Sequence, residues 1–388
     1  MRRNVFILAM CQALSMSGNS MLLAVSALAG LIIAPDPSLS TVPLACQFAA
    51  TTFSTIPASL FMARVGRRVG FTIGQIIGAV GGGIAAYAIQ SGSFGLFIFG
   101  SILFGINNAF AQYYRFAAAD TATEDFRSRA ISYVLAGGII AAFLGPQLAK
   151  WTAELSPVMF SASYASIIGL SLVSITFLQF TRIPLPPKPE LGGGGRPITQ
   201  IMAQPVYLVA VLSGSLGYGV MNMLMTSTPL AMTFCGFEFN DAATVIQWHI
   251  VGMFLPSFFT GNLIKRFGVI NIIAVGAALQ ALAIVIGLSG TEFSHFTAGL
   301  IALGLGWNFM FIGGTTLLTE AYTPEERAKT QAANDFTVFS VVAITAFSSG
   351  LLHENLGWTS INLISALPVA LVFVVVIWFG LRRQLRRT

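Results

Sequence analysis

From Val69 to Tyr114 the chain carries no charged residue, and the same holds from Val5 to Ile33, from Pro197 to Phe237 and from Asn355 to Leu381. A domain folded in water carries about a quarter of its residues as charges, whereas Asp, Glu, Lys and Arg make up only 9% here. Lipid is therefore the solvent these runs suit. A bilayer-spanning helix takes about 20 mostly apolar residues. The sequence divides into segments of that kind near 5–33, 41–63, 70–90, 94–117, 129–149 and 157–181, then near 205–233, 241–264, 269–289, 293–317, 329–351 and 358–381. The expectation is an all-α membrane protein with 12 transmembrane helices. The first run is longer than the core of a signal peptide and lacks a convincing cleavage site, so it reads as a retained span.

Charge orients these spans. All but two of the 20 lysines and arginines fall at the termini or in connections after even-numbered spans. They are Arg2 and Arg3; Arg64, Arg67 and Arg68; Arg127 and Arg129; Arg182, Lys188 and Arg196; Lys265 and Arg266; Arg327 and Lys329; and Arg382, Arg383, Arg386 and Arg387. Lys150 lies on the opposite side and Arg115 inside a span. Positive charge marks the cytoplasmic side, which predicts a multi-pass protein of the plasma (cytoplasmic or inner) membrane with both termini in the cytoplasm. The net charge of +6 is then a topology signal. Spread over every inner loop, the basic residues form no patch for nucleic acid. Cys11, Cys46 and Cys235 lie in apolar runs without metal-ligand spacing, so neither a disulfide framework nor a metal site is expected, and no cofactor.

The longest inner connection, "TRIPLPPKPELGGGGRP" from Thr181 to Pro197, combines stiffening prolines with four loosening glycines. It reads as a linker, 182–204, between a six-helix bundle over 1–181 and another over 205–388. A repeat supports that division. "DTATEDFRSR", Asp120 to Arg129, lines up with "EAYTPEERAK", Glu320 to Lys329, matching Asp120 with Glu320, Thr123 with Thr323 and Arg127 with Arg327. Gln47 pairs with Gln247, Pro57 with Pro256, "GRRVG" (Gly66 to Gly70) with "IKRFG" (Ile264 to Gly268), and "GINN" (Gly105 to Asn108) with "GWNF" (Gly306 to Phe309).

With these landmarks the chain resembles a bacterial member of the major facilitator superfamily over nearly all its length. The family's helix 2–3 signature, roughly G-x-L-A-D-R-x-G-R-R, is similar to "SLFMARVGRR", which keeps Arg64, Gly66, Arg67 and Arg68 but has Ala63 at the acidic position. The second copy, "GNLIKRFG" from Gly261 to Gly268, has Lys265 there. Of the glycine-spaced helix 5 motif of antiporters, Gly145 and Pro146 remain. The helix 4 arginine of proton-coupled drug exporters, which would fall near Ser101, is absent. The resemblance implies two pseudo-symmetric six-helix bundles, a substrate site at the midplane between them, and alternating access.

Ionisable side chains within spans suggest function, and three stand out: Arg115, His249 and Asp335. Arg115 can snorkel to the interface and pair with Asp120 or Glu124. Alternatively it shares a helical face with Asn108 and Gln112 and offers paired donors to a carboxylate or phosphate, or it serves a gate. Asp335 lies on the order of 9 Å beyond Lys329 along its helix. It can cap Asn334, or pair with Arg115 when the cytoplasmic side closes and release it on protonation. His249 can carry a proton or be a neutral hydrogen-bonding residue. Arg115 has the neutral Thr315 as its counterpart, so the repeat does not require it.

The spans that line the cavity in the family offer Gln12, Asn19, Asn108, Gln112, Tyr113, Arg115, Tyr218, Asn222, Trp307 and Asn308, and helix 8 adds Gln247 and Trp248. The resemblance thus implies a monomeric secondary transporter of a small organic solute, anionic or zwitterionic to suit Arg115. Protons are the expected coupling ion, and the helix 5 remnant favours export by antiport. The alternatives are an uncoupled uniporter and a non-transporting membrane sensor. With no nucleophile–base arrangement and no metal spacing, an enzyme is not expected.

Overall fold

The computed structural model describes residues 2–121, 130, 133–134, 136–181, 183 and 195–385. Within them the regular structure is helical, without strands. This suits a chain in lipid, where a helix satisfies its own backbone donors and acceptors. The solvent preference is inverted relative to a water-soluble core. Phe53, Phe6, Ile344 and Leu367 are exposed, while Gln47, Gln75, Asn107, Asn222, Gln280 and Asn308 are buried.

Among the described residues eight helices are long and apolar enough to cross a membrane, and nine if one bent pair counts as a span. Helix falls on each expected segment, with informative differences. Expected span 4 runs as Phe94–Ala111 and Tyr114–Asp120, joined through a turn in which Tyr113 N–H donates to Phe110 O at 3.0 Å. Expected span 8 is a pair, Phe239–Phe254 and Ser257–Phe267, bent by 43°. The cause is Pro256, which supplies no N–H to the preceding turn. The last two expected spans fall on two helices that meet at a kink within Arg327–Leu385, where Gly357 turns to φ 73°. The start of expected span 5, including Arg127, lies outside the described residues, as do Glu124, Asp125, the side chain of Asp120 and most of the linker.

Two compact units are present: residues 1–189 with 238–247, and residues 190–237 with 248–388. Helix Phe239–Phe254 therefore begins with the first and ends with the second. In the first, Leu8, Phe71, Phe110, Tyr114 and Leu178 share a core; in the second, Tyr207, Ile273, Met310, Leu317 and Val372 do.

Each unit is closed by backbone contact between its third and fourth long helices. A side chain at Gly81 would lie 2.8 Å from the Gly100 carbonyl, and one at Gly276 would lie 2.9 Å from that of Gly306. A buried glutamine then ties the third helix to the first in both. Gln75 Nε2 donates to Ser15 Oγ and Tyr114 Oη, each at 2.9 Å, and Gln280 Nε2 donates to Gly217 O at 2.8 Å. Backbone geometry corrects one pairing in the repeat. Gly66 (φ 90°, ψ 151°) and Gly268 (φ 86°, ψ 147°) both end one helix and begin the next. Gly66 therefore corresponds to Gly268, rather than to Ile264 as the five-residue match suggested.

Candidate functional site

In the first unit the amides named from sequence meet in a network. Gln47 Nε2 donates to Asn19 Oδ1 at 2.9 Å and Asn108 Nδ2 donates to the same oxygen at 3.1 Å. The three come from helices Arg2–Ile33, Val42–Val65 and Phe94–Ala111. Gln47 is buried, while Asn19 and Asn108 are half-buried. Gln12, also half-buried, lies two turns before Asn19 on the same helical face. The network thus reaches the surface of this unit through small polar groups.

The face expected for Asn108, Gln112 and Arg115 presupposed an unbroken helix. The tighter turn at Tyr113 overwinds the chain between them. Gln112 is exposed, Tyr113 Oη donates to Thr55 O at 3.0 Å, and the half-buried Arg115 guanidinium stands 4.9 Å over the Phe116 ring. Asn108 is thereby grouped with Asn19 and Gln47. Gln247, counted with this unit, accepts from Gln147 Nε2 at 2.8 Å, and nearby Lys150 Nζ donates to Thr244 Oγ1 at 2.6 Å.

The second unit presents aromatic rings instead. Tyr218 on helix Pro205–Phe234 meets Trp307 and Phe311 on helix Phe293–Leu318, with centroids 5.2 and 5.5 Å apart, both edge-on. Trp307 and Phe311, one helical turn apart, stack at 5.1 Å with 10° between their planes. Phe254 adds an edge to Trp307 at 6.1 Å and Phe339 one to Tyr218 at 6.2 Å. Phe254, Phe311 and Phe339 were not singled out from sequence, although the spacing of Phe311 from Trp307 was a legible signal. Asn222, one turn from Tyr218, is fully buried and donates to Val342 O at 3.1 Å and Thr345 Oγ1 at 3.2 Å.

Asn308 is engaged in holding the bent pair. Its Nδ2 donates to Met253 O and Ser257 Oγ, both at 2.7 Å, and its Oδ1 accepts from Thr260 Oγ1 at 2.6 Å. It bridges the two sides of the break at Pro256. His249 is fully buried with Nδ1 2.7 Å from Leu300 O, while Trp248 beside it is exposed. Asp335 is exposed and accepts from Asn334 Nδ2 at 3.0 Å.

A sequence model of the Major Facilitator Superfamily matches residues 5–247 and 217–388. The chain belongs to this family. Like the Major Facilitator Superfamily transporters it resembles, it is a multi-pass membrane protein. It is 41% identical over 379 residues to the riboflavin transporter RfnT of Brucella anthropi, covering 97% of this chain and 95% of that protein. To the MFS-type transporter YddS of Bacillus subtilis it is 28% identical over 357 residues, or 86% of this chain and 81% of that one. Among solved structures, the nucleoside transporter NupG superposes with a TM-score of 0.73 at 16% identity, covering 98% of this chain and 99% of that chain. That likeness speaks to the fold.

The loop motifs of this family member form ties within each unit. In the first, exposed Arg68 donates through Nη2 to Gln179 Oε1 at 2.8 Å, while Arg64 is exposed and Arg67 half-buried. In the second, Glu320 pairs with Arg383 at 2.9 Å and Arg327 is exposed. Glu326, not singled out from sequence, is the best-bonded carboxylate described. Arg196 clamps it through Nε at 2.9 Å, Nη2 at 2.7 Å and its backbone N–H at 2.7 Å, and Thr323 N–H adds a bond at 3.0 Å. These donors, the guanidinium first, hold the Glu326 carboxyl well below the usual carboxylate range and raise Arg196. The end of the linker read as loose from its glycines is therefore docked at Arg196. The repeat carried a signal: the residue aligned with Glu326 is Phe126. Among the described residues no cluster of His, Cys, Asp and Glu could hold a metal ion.

Proposed function

We propose that this protein is a secondary transporter of riboflavin or a closely related flavin, working by alternating access. The observation that carries the reading is its 41% identity to a riboflavin transporter over 97% of this chain and 95% of that one. The aromatic set around Tyr218 and Trp307 supports it, because a flat tricyclic ring gains from aromatic stacking. So does the amide network of Asn19, Gln47 and Asn108, whose donors and acceptors suit a polyhydroxyl chain. In this reading twelve helices cross the membrane and residues 182–204 link two bundles over 1–181 and 205–388. Both termini face the cytoplasm. Gln12, Asn19, Asn108, Tyr218, Asn222 and Trp307 contact the solute, and Asn308 positions its helix. Protons drive transport, with Asp335 and His249 as the groups to test. The experiment is riboflavin flux in proteoliposomes, with and without an imposed pH gradient. Flux that follows the gradient supports coupling, flux indifferent to it makes the protein a uniporter, and absence of riboflavin flux overturns the substrate.

A second reading is favoured by Arg115, a half-buried cation with a neutral counterpart at Thr315. Riboflavin carries no charge near neutral pH, whereas its phosphate ester does, and a guanidinium fork suits phosphate. If flavin mononucleotide competes better than riboflavin in the wild type and this advantage disappears in Arg115→Gln, the anionic ester is the substrate.

A further inference from the structure

Several buried polar atoms in the second unit have no hydrogen-bond partner among the described residues, and two of them adjoin the aromatic set. Trp307, only 6% exposed, leaves its indole Nε1–H without an acceptor. Asn222, 0% exposed, donates both N–H bonds described above yet leaves Oδ1 without a donor. Stranding a buried donor or acceptor costs about 1–3 kcal/mol each. Both groups are tied to one ring: Tyr218 touches Trp307 at 5.2 Å and sits one helical turn, about 6 Å, before Asn222 on the same face. Tyr218 and Phe311 are half-buried, so the aromatic set reaches the surface of this unit.

The chemistry of these two groups is specific. Indole is a donor only, and the free atom of Asn222 is an acceptor only. A planar ring edge with a carbonyl beside an N–H complements that pair, and this is the imide edge of a flavin. We propose that Trp307 and Asn222 read the imide edge of the transported ring: Trp307 donates to a ring carbonyl, Asn222 Oδ1 accepts the imide N–H, and Tyr218 and Phe311 form the surface against which the ring lies. The inference rests on the flavin reading above and adds the orientation of the ring. It also assigns discrimination to polar groups, since a site built to bond a ligand N–H rejects an analogue lacking it far more strongly than an apolar wall does.

The test is equilibrium binding to the full chain in lipid nanodiscs, read by quenching of flavin fluorescence, with riboflavin and 3-methylriboflavin. The methyl group removes the imide N–H and leaves the ring system intact. Wild type is expected to bind the methylated compound at least tenfold more weakly; equal binding overturns the proposal without any variant being made. Trp307→Phe keeps the ring packing and deletes the donor, and should weaken riboflavin binding about tenfold, whereas unchanged affinity removes Trp307 from the site. Asn222→Leu should bring the two ligands to within about twofold of each other, and a preserved preference overturns its role. Thermal stability of each variant separates lost contacts from lost folding. If wild type binds riboflavin but ignores the methyl group, only this inference fails. If it binds no riboflavin, the flavin reading fails and this inference with it.

Discussion

In the 200-residue register that matches Asp120 with Glu320 and Gln47 with Gln247, Asn108 stands opposite Asn308, and the two serve different ends. Asn108 is half-buried and donates to another side chain, Asn19, within a network that opens on the surface of its unit. Asn308 is fully buried, and all its polar contacts brace the break at Pro256. The matching prolines show the same divergence. Pro57 lies within the helix Val42–Val65, whereas Pro256 marks a 43° bend. The residue beside each asparagine completes the contrast, since Asn107 in one half is Trp307 in the other. Both halves close their third and fourth helices on glycines and tie the third helix to the first by a glutamine, at positions the repeat does not align, while one unit groups amides and the other aromatic rings.

The deepest claim of that comparison is the shared glycine closure. Gly81→Val and Gly306→Val place a side chain against a facing backbone, a form of overpacking that typically costs about 1–3 kcal/mol and more where nothing can yield. Both should abolish the monodisperse peak on size exclusion. Recovery of either variant at wild-type yield would break the equivalence. The second claim is that the Arg196 clamp belongs to one half alone. Glu326→Gln should lower the melting temperature by several degrees at pH 7. Because the folded carboxyl is held below its usual value near 4.5, its contribution is complete above that pH and is lost as pH falls below it. The variant should therefore lose less stability than wild type between pH 5 and pH 3, measured by thermal unfolding.

Smaller effects sharpen the contrast between the asparagines and between the faces. Asn308→Ala strands buried partners and should cost about 1–3 kcal/mol, whereas Asn108→Ala, at a half-buried position, should cost less than about 1 kcal/mol. Comparable losses in denaturation would remove the distinction between brace and surface network. On riboflavin flux, Phe311→Ala should raise KM by about two- to tenfold, the equivalent of about 0.5–1.5 kcal/mol of aromatic contact. Asn19→Ala should raise it by about twofold, the low end for a neutral hydrogen bond. The reverse order would place recognition on the amide face.

Segments long enough to cross a bilayer and the family were legible from residues alone, because each depends on composition or spacing along the chain. Gly357 falls just before the expected start of the last span, where the kink lies. Tertiary structure decided what depends on neighbours distant in sequence. It chose between two registers the sequence offered for Gly66, matching it with Gly268 as the helix 2–3 signature does rather than with Ile264, because both glycines share one backbone conformation. It took Asn108 away from Gln112 and Arg115, because one tightened turn rotates a helical face. It placed Asp335 at the surface and enclosed His249, since burial is a property of the packed bundle. It also gave Glu326 its partner, which lies 130 residues away at Arg196. Periodicity and charge act locally and can be read in order along the chain; hydrogen-bond partners and ring contacts exist only once remote helices meet.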